Sequence, residues 1–329
     1  MNAVEADALS QLQNPAATVQ LSVVVPLLDE QGSVVELHRQ LTPVLDELDL
    51  ASEILFVDDG SSDGTFEELE GLHGLDPRVR VIALRRHFGK TAALVAGFRE
   101  ARGEIVITMD GDLQDDPAEI PRFLALLRQG YDLVVGWKRE RHDPPTKTVP
   151  SKIFNAVVRA ASGITLHDFN CGFKAYRRAV LDDLRLYGDM HRFVPVMAAW
   201  KGYRVAEIEV HHRERRFGRS KFGAGRVMAG VIDLIRVLFL TRYMQKPLSL
   251  FGTTGLVLFL LGVVGGIYLA VLKLMGQSIG VSHLPLLFLT VMLILFGTIL
   301  LAIGLIGEMQ RHYGYHASDE YSIRTRLEH

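Results

Sequence analysis

Cysteine is nearly absent: Cys171 is the only one in 329 residues. That excludes an internal disulfide framework and a multi-cysteine metal site, and it fits a reduced, cytoplasmic setting. A charge surplus is lacking too. The chain has 36 Lys and Arg against 38 Asp and Glu, a formal net charge of −2, whereas binding along a phosphate backbone needs a clear basic excess. Nucleic acid is therefore not expected as a partner. The opening stretch MNAVEADALSQLQNPAATVQ carries acids where a secretory leader is basic and has no apolar centre, so no leader is expected there.

Long apolar runs occur instead near the other end. No charge interrupts the 26 residues 247–272 or the 24 residues 284–307, and a hydrocarbon core is spanned by about 20 apolar residues. Core helices of soluble proteins usually keep a polar face, so two transmembrane helices are expected. Arg236, Arg242 and Lys246 precede the first run and Arg311 follows the second, while the intervening KLMGQSIGVSH has one Lys. By the positive-inside rule both ends, and the large N-terminal part, lie on the cytoplasmic side. Gly262 and Gly266 form a GxxxG spacing that would let the two helices approach closely. Residues 224–246 mix a wide apolar face with Arg226, Asp233, Arg236 and Arg242. They suit a helix lying in the membrane interface, with an ordinary amphipathic helix on the soluble domain as the alternative. The closing LEH looks like the start of an affinity tag.

Short β-branched runs recur at residues 21–28, 53–59, 79–84, 104–110 and 131–137, separated by helical patterns at 30–49, 63–73, 89–102 and 117–129. Nearly all-apolar strands alternating with helices predict a mostly parallel sheet covered on both faces, an α/β nucleotide-binding architecture. Ligands of such sheets bind beyond the carboxyl ends of the strands. Acids gather there: Asp29 and Glu30 after the first run, Asp58, Asp59 and Asp63 after the second, and Asp110, Asp112, Asp115 and Asp116 after the fourth. Like charges on one edge repel, so a cation or hydrogen-bond donors must offset them. Asp-X-Asp suits Mg²⁺ or Mn²⁺, which prefer carboxylate oxygens and share their coordination with substrate phosphates. Taken singly, the same residues are equally good turn formers and helix caps.

Four motifs in order add specificity: VPLLDE (25–30), VDDGSSDGT (57–65), RRHFGKTAALVAGFREARGE (85–104) and DGDLQDDP (110–117). With them, residues 20–223 resemble the inverting family-2 glycosyltransferases of GT-A fold. HDFNCGFKAYRR (167–178), GDMHRFVPVMAAWKGY (188–203) and HHRERRFGRSKFG (211–223), with the two C-terminal spans, resemble the branch of dolichol-phosphate-mannose-synthase-like and undecaprenyl-phosphate enzymes. A Q-x-x-R-W motif of processive synthases is absent from the sequence. Leu28 stands where the family pattern has Tyr, and Asp29 where it has Asn.

The resemblance implies roles. Pro26, Leu28 and Glu30 would contact the nucleoside, with Val57 and Asp59 reading base and ribose. Asp110 and Gly111 would line the diphosphate, and Asp110, Asp112 and Gln114 would hold Mg²⁺ or Mn²⁺. Lys138 and Lys152 would position an acceptor phosphate. Arg215 and Lys221 would close over the diphosphate, and Asp168 would act as a positioning or base residue. The histidines read as structural: His211 and His212 follow a strand, where neighbours point to opposite faces, and His167 and His191 suit loop hydrogen bonds. Lys90 could approach a phosphate, although a solvated helix start is simpler.

The expected layout is a tail at 1–19, a GT-A domain at 20–223, an interfacial helix at 224–246, a transmembrane hairpin at 247–310 and a cytoplasmic tail at 311–329. The expected partners are a UDP- or GDP-sugar donor and polyprenyl phosphate in the cytoplasmic membrane, with a homo-oligomer left open. The alternatives are transfer to another lipid or glycan, a non-catalytic sugar-nucleotide binding protein, and a nucleotidyltransferase. The acidic PLLDEQGS after the first strand disfavours the last of these, because such enzymes carry a Gly-rich basic loop at that place.

Overall fold

The computed structural model describes residues 19–139, 155–160, 162–188, 190–213, 248–276 and 283–313. It divides into two compact units, a sheet domain and a pair of apolar helices.

In the sheet domain the apolar runs become strands β1 (Leu21–Leu27), β2 (Ser52–Asp58), β3 (Val79–Ala83), β4 (Ile105–Thr108) and β5 (Leu133–Trp137). Residues 21–25 of β1 are all buried, as expected of a strand covered on both faces. The connections are helices α1 (Ser33–Glu47), α2 (Thr65–Leu75), α3 (Lys90–Glu100) and α4 (Ile120–Arg128). Helix α1 buries Val34, Leu37, Leu41 and Leu45, one stripe at helical spacing. Helix α3 lies so close to the sheet that a Cβ on Gly97 would stand 2.4 Å from Val24 Cγ1 and 3.2 Å from Val57 Cγ2; only glycine permits this approach.

Two more strands complete a seven-stranded sheet of order β3-β2-β1-β4-β6-β5-β7, in which β6 is Lys174–Arg177 and β7 is Val205–Glu209. Strand β6 runs antiparallel between β4 and β5 and sets Lys174 opposite both Thr108 and Val135. Every other pairing is parallel. The α/β GT-A expectation is therefore met, with one antiparallel strand that periodicity did not mark. β6 is four residues long and lies inside the motif HDFNCGFKAYRR, so no alternation distinguishes it from the loop before it.

The order reverses at β1: β2 lies on one side of it and β4 on the other. A crevice opens at such a switch point, beyond the carboxyl ends of β1 and β4. Asp29 and Glu30 leave β1 there and Asp110 to Asp116 leave β4 there. The ends touch, because a Cβ on Gly111 would lie 2.2 Å from Leu27 Cδ2.

The second unit consists of helix α7 (Thr253–Leu274), entered by a π-turn at Leu248–Gly252, and helix α8 (Leu284–Tyr313); the short helices α5 (Arg178–Asp183) and α6 (Val194–Trp200) belong to the sheet domain. Within Leu248–Leu274 and Leu284–Gln310, 18-residue windows have mean hydropathies of 2.5 and 2.9, yet only 17% and 11% of those windows is buried. Outward Leu256, Val257, Leu260, Val264, Phe288, Leu295 and Ile299 would be a liability in water. Two such helices fit a membrane anchor. Their seam is built on glycine, though not on both expected ones. A Cβ on Gly262 would come within 2.6 Å of Ile294, but one on Gly266 would meet only Thr290 Cγ2, at 3.7 Å. Gly255 and Gly297 make the closest approach: a Cβ on either would lie 2.7 Å from the other's carbonyl oxygen.

Candidate active site

The acids after β1 and β2 are spent mainly on fastening two loops together. Ser61 Oγ accepts from Asp29 N at 2.8 Å, and Asp29 Oδ1 accepts from Ser62 N at 2.8 Å, which holds Asp29 at φ 47°. Asp58 Oδ1 accepts from Ser61 N at 3.0 Å, and Thr65 Oγ1 accepts from Glu30 N at 2.9 Å. This is turn chemistry, as the Asp, Ser and Gly content allows. Asp59 is buried and pins the next loop: its two oxygens accept from Phe88 N at 2.8 Å and Gly89 N at 2.9 Å, and His87 Nδ1 lies 2.8 Å away. Val57, expected to read base and ribose, is fully buried with its side chain facing Gly97, so that side chain belongs to the core. Pro26 pairs with Val57 in the sheet, and Leu28 and Glu30 stand half-buried at the rim.

The loop after β4 is different. Asp112 is buried and accepts from Gln114 N at 3.2 Å, across Leu113 at φ 63°. A buried leucine in the left-handed region is strained, and such strain concentrates at functional sites. Asp115 Oδ2 accepts from Asp110 N at 3.2 Å, while Lys138 Nζ lies 2.8 Å from Asp115 Oδ1. Asp116 caps the following turn by accepting from Ala118 N at 3.0 Å. Of the four aspartates, Asp115 and Asp116 are thus engaged in holding the loop, while Asp110 pairs with Lys90 and Asp112 is buried in the turn.

Around Asp110 three lysines converge. Lys90, the first residue of α3, forms an ion pair with Asp110 Oδ1. Burial alone would raise the Asp110 pKa, but the charges of Lys90, Lys138 and Lys174 outweigh it and hold the carboxyl well below its usual range. Lys174 is itself buried, donates to Cys171 O, and is pushed down by that burial to about 8. Burial likewise pushes the Cys171 thiol up to about 12, which leaves it inert. His191, pushed down to about 2 by burial and by Lys90 and Lys174, is neutral and shares a 2.7 Å hydrogen bond with Thr91 Oγ1. The structural reading of His191 suits that geometry.

His212 lies closer to the centre than its place after a strand suggested. An isolated bridge pairs it with Asp115, and its Nε2 is 3.3 Å from Gln114 Nε2. Arg213 ties the same corner by donating to Gln40 Oε1 at 2.7 Å and pairing with Asp116 Oδ2 at 2.5 Å. Asp168 is buried and accepts from Asn170 N at 3.0 Å, a turn contact two residues along. Lys152, Arg215, Lys221 and residues 224–246 lie outside the described residues. The residues that sequence reasoning missed or set aside are therefore Lys90, Lys174 and His212. The signal for Lys174 was a charged residue inside an otherwise apolar GFKAY run.

Among the described residues no three His, Cys, Asp or Glu side chains converge as a metal site. Asp110, Asp112 and the Gln114 amide fit a hard divalent cation that completes its shell with substrate oxygens, as Mg²⁺ usually does.

Residues 22–185 match Glycosyl transferase family 2. Over 321 residues the chain is 36% identical to the dodecaprenyl-phosphate galacturonate synthase of Rhizobium johnstonii, covering 94% of both chains. Over 290 residues it is 36% identical to the undecaprenyl-phosphate 4-deoxy-4-formamido-L-arabinose transferase of Pseudomonas aeruginosa, covering 88% of this chain and 84% of that one. Among solved structures it is similar to glucosyl-3-phosphoglycerate synthase from Mycobacterium tuberculosis in complex with Mn²⁺, UDP-glucose and phosphoglyceric acid. That match has a TM-score of 0.54 and 20% identity and covers 68% of this chain and 80% of that one, a likeness of fold. With its sheet, its acidic switch point and relatives alike from end to end, the chain belongs to glycosyltransferase family 2.

Proposed function

We propose that the protein moves a sugar, with inversion, from a nucleotide sugar to a polyprenyl phosphate in the membrane. The observation that carries this reading is the cluster of Asp110, Asp112, Lys90, Lys138 and Lys174 at the switch point of a chain that also bears two outward-apolar helices. Relatives named for polyprenyl-phosphate sugar transfer support it.

The nucleoside would rest along Pro26, Leu28 and Glu30, with the diphosphate toward Asp110, Gly111 and Asp112. Asp110, Asp112 and Gln114 would hold Mg²⁺ or Mn²⁺, which when bound supplies Lewis-acid neutralisation of the departing diphosphate. The chain's own residues do the rest. The lysines keep Asp110 ionised and supply positive charge toward phosphate. An acceptor phosphate is already ionised at neutral pH, so it needs positioning rather than deprotonation. Lys152 would supply part of that, Asp168 would act as a positioning or base residue, and Arg215 and Lys221 would close over the diphosphate. One of the acceptor's phosphate oxygens bonds to the anomeric carbon as the bond to the donor's phosphate oxygen breaks. The hairpin would hold the enzyme where the acceptor's headgroup lies, its catalytic domain and C-terminus on the cytoplasmic side by the distribution of Arg and Lys.

The test is incubation of full-length protein with radiolabelled UDP- and GDP-sugars, undecaprenyl phosphate and Mn²⁺. Labelled lipid is expected; nucleotide-sugar cleavage without labelled lipid would refute the acceptor.

A further inference from the structure

Asp110 is offered as a metal ligand, yet in the structure its carboxylate already has a cation. Lys90 Nζ is paired with Oδ1, and the Gly172 backbone closes another side, since a Cβ on Gly172 would lie 2.5 Å from Oδ1 and 2.6 Å from Oδ2. An ion seeking Asp110 therefore meets the Lys90 ammonium. Lys138 and Lys174 add two further positive charges that act on the same carboxylate.

A divalent cation arriving alone would have to compete with the Lys90 ammonium for Asp110. When it arrives with the donor's diphosphate, its charge is offset, and the pair brings no net positive charge to the pocket. Lys90 has room to reach solvent, because its side chain is 35% exposed. An ammonium leaving Asp110 would remain at the amino end of α3, where the backbone N–H groups also favour phosphate.

We propose that Lys90 is the resident counter-cation of Asp110 in the nucleotide-free enzyme, and that the metal and diphosphate of the donor displace it together. Metal is thereby held off until nucleotide arrives, and the released ammonium turns to the donor's phosphates. The proposal rests on the glycosyltransferase reading of the site and concerns the order in which the site is loaded. The coupling is reciprocal: whatever nucleotide adds to metal affinity, metal adds to nucleotide affinity.

The test needs no turnover. Mn²⁺ binding to the full chain in detergent is followed by the electron paramagnetic resonance of free Mn²⁺, without nucleotide and with UDP or GDP. The wild type should bind Mn²⁺ weakly alone and at least ~10-fold tighter with the matching nucleotide, within the usual range of coupling. Lys90→Met should bind Mn²⁺ alone at least ~10-fold tighter than wild type, gain less from nucleotide, and bind nucleotide more weakly. Lys90→Arg should restore the wild-type pattern. A Lys90→Met protein that binds Mn²⁺ alone no tighter than wild type overturns the proposal. Lys90→Gln carries the same expectation, and failure of both neutral variants to fold would make Lys90 a structural pin and also overturn it. Loss of the metal site itself shows differently: wild type would then bind no Mn²⁺ with either nucleotide, and Asp112→Ala would behave like it.

Discussion

Lys138 offers the sharpest test of how charge is distributed in the site. The resemblance made it a ligand of the acceptor phosphate, but in the structure its ammonium lies 2.8 Å from Asp115 Oδ1, with side-chain exposures of 12% and 1%. Lys138 is the cation that offsets this buried oxygen. Removing one partner of a buried pair costs about 3–5 kcal/mol, because the other charge is left in a poor solvent. For a domain of this size each kcal/mol shifts the melting temperature by about 2–4 °C. Lys138→Met should therefore melt roughly 6–20 °C below wild type when the full chain is heated in detergent and followed by circular dichroism. It should also lose transfer, since Asp115 Oδ2 holds the backbone of Asp110. Adding Asp115→Asn removes the orphaned charge while keeping an oxygen for Asp110 N, and the double variant should recover at least about 2 kcal/mol of the loss. A Lys138→Met protein that melts like wild type but transfers poorly would refute this account and restore Lys138 as a simple acceptor ligand.

Asp112→Ala should abolish transfer at saturating Mg²⁺ or Mn²⁺ while the protein still folds, as circular dichroism would show; normal turnover would remove Asp112 from the metal set. Removing residues 247–329 should leave a folded domain that transfers poorly to bilayer-embedded acceptor, and full activity would contradict the anchoring role. In the helical pair, Gly297→Val should lower the melting temperature, because a Cβ there would lie 2.5 Å from Phe259 N, whereas Gly266→Val should not; equal effects would refute the seam. Burial works to raise the Asp76 pKa, but hydrogen bonds from Arg78 and His38 outweigh it and bring it down to about 2. A carboxyl depressed on folding stabilises above its unfolded pKa of about 3.9 and loses that contribution as pH falls towards 2. Asp76→Asn should accordingly be less stable by about 2 kcal/mol at pH 6 and nearly equal to wild type at pH 2, and denaturation at the two pH values checks it.

Much of this was legible without coordinates. The strands β1 to β5 announced themselves because each is a short, mostly apolar run; β1, β2, β4 and β5 are largely buried, the setting that calls for such runs, and β3 is the half-buried edge. The acids after β1, β2 and β4 stood out by their position at strand ends. The apolar helices were equally plain, since length and absence of charge are local properties. Strand β6 was not plain, and with it went Lys174: a four-residue strand has no period to read, and its place between β4 and β5 is a matter of topology. Burial on both sides of Val57 and the approach of His212 to Gln114 are likewise contacts between distant segments.

The sequence by itself determined the class of the sheet, its acidic edge and the presence of long apolar helices, because composition, periodicity and motif order encode them. Only the tertiary structure decided which charges meet. It spent Asp59 and Asp115 on loops and lysines, gathered Lys90, Lys138 and Lys174 around Asp110, and chose Gly255 and Gly297 over Gly266 for the helix seam. The physical reason is that a charge or a Cβ has no partner along the chain; its energy is set by what the fold brings within a few ångströms of it.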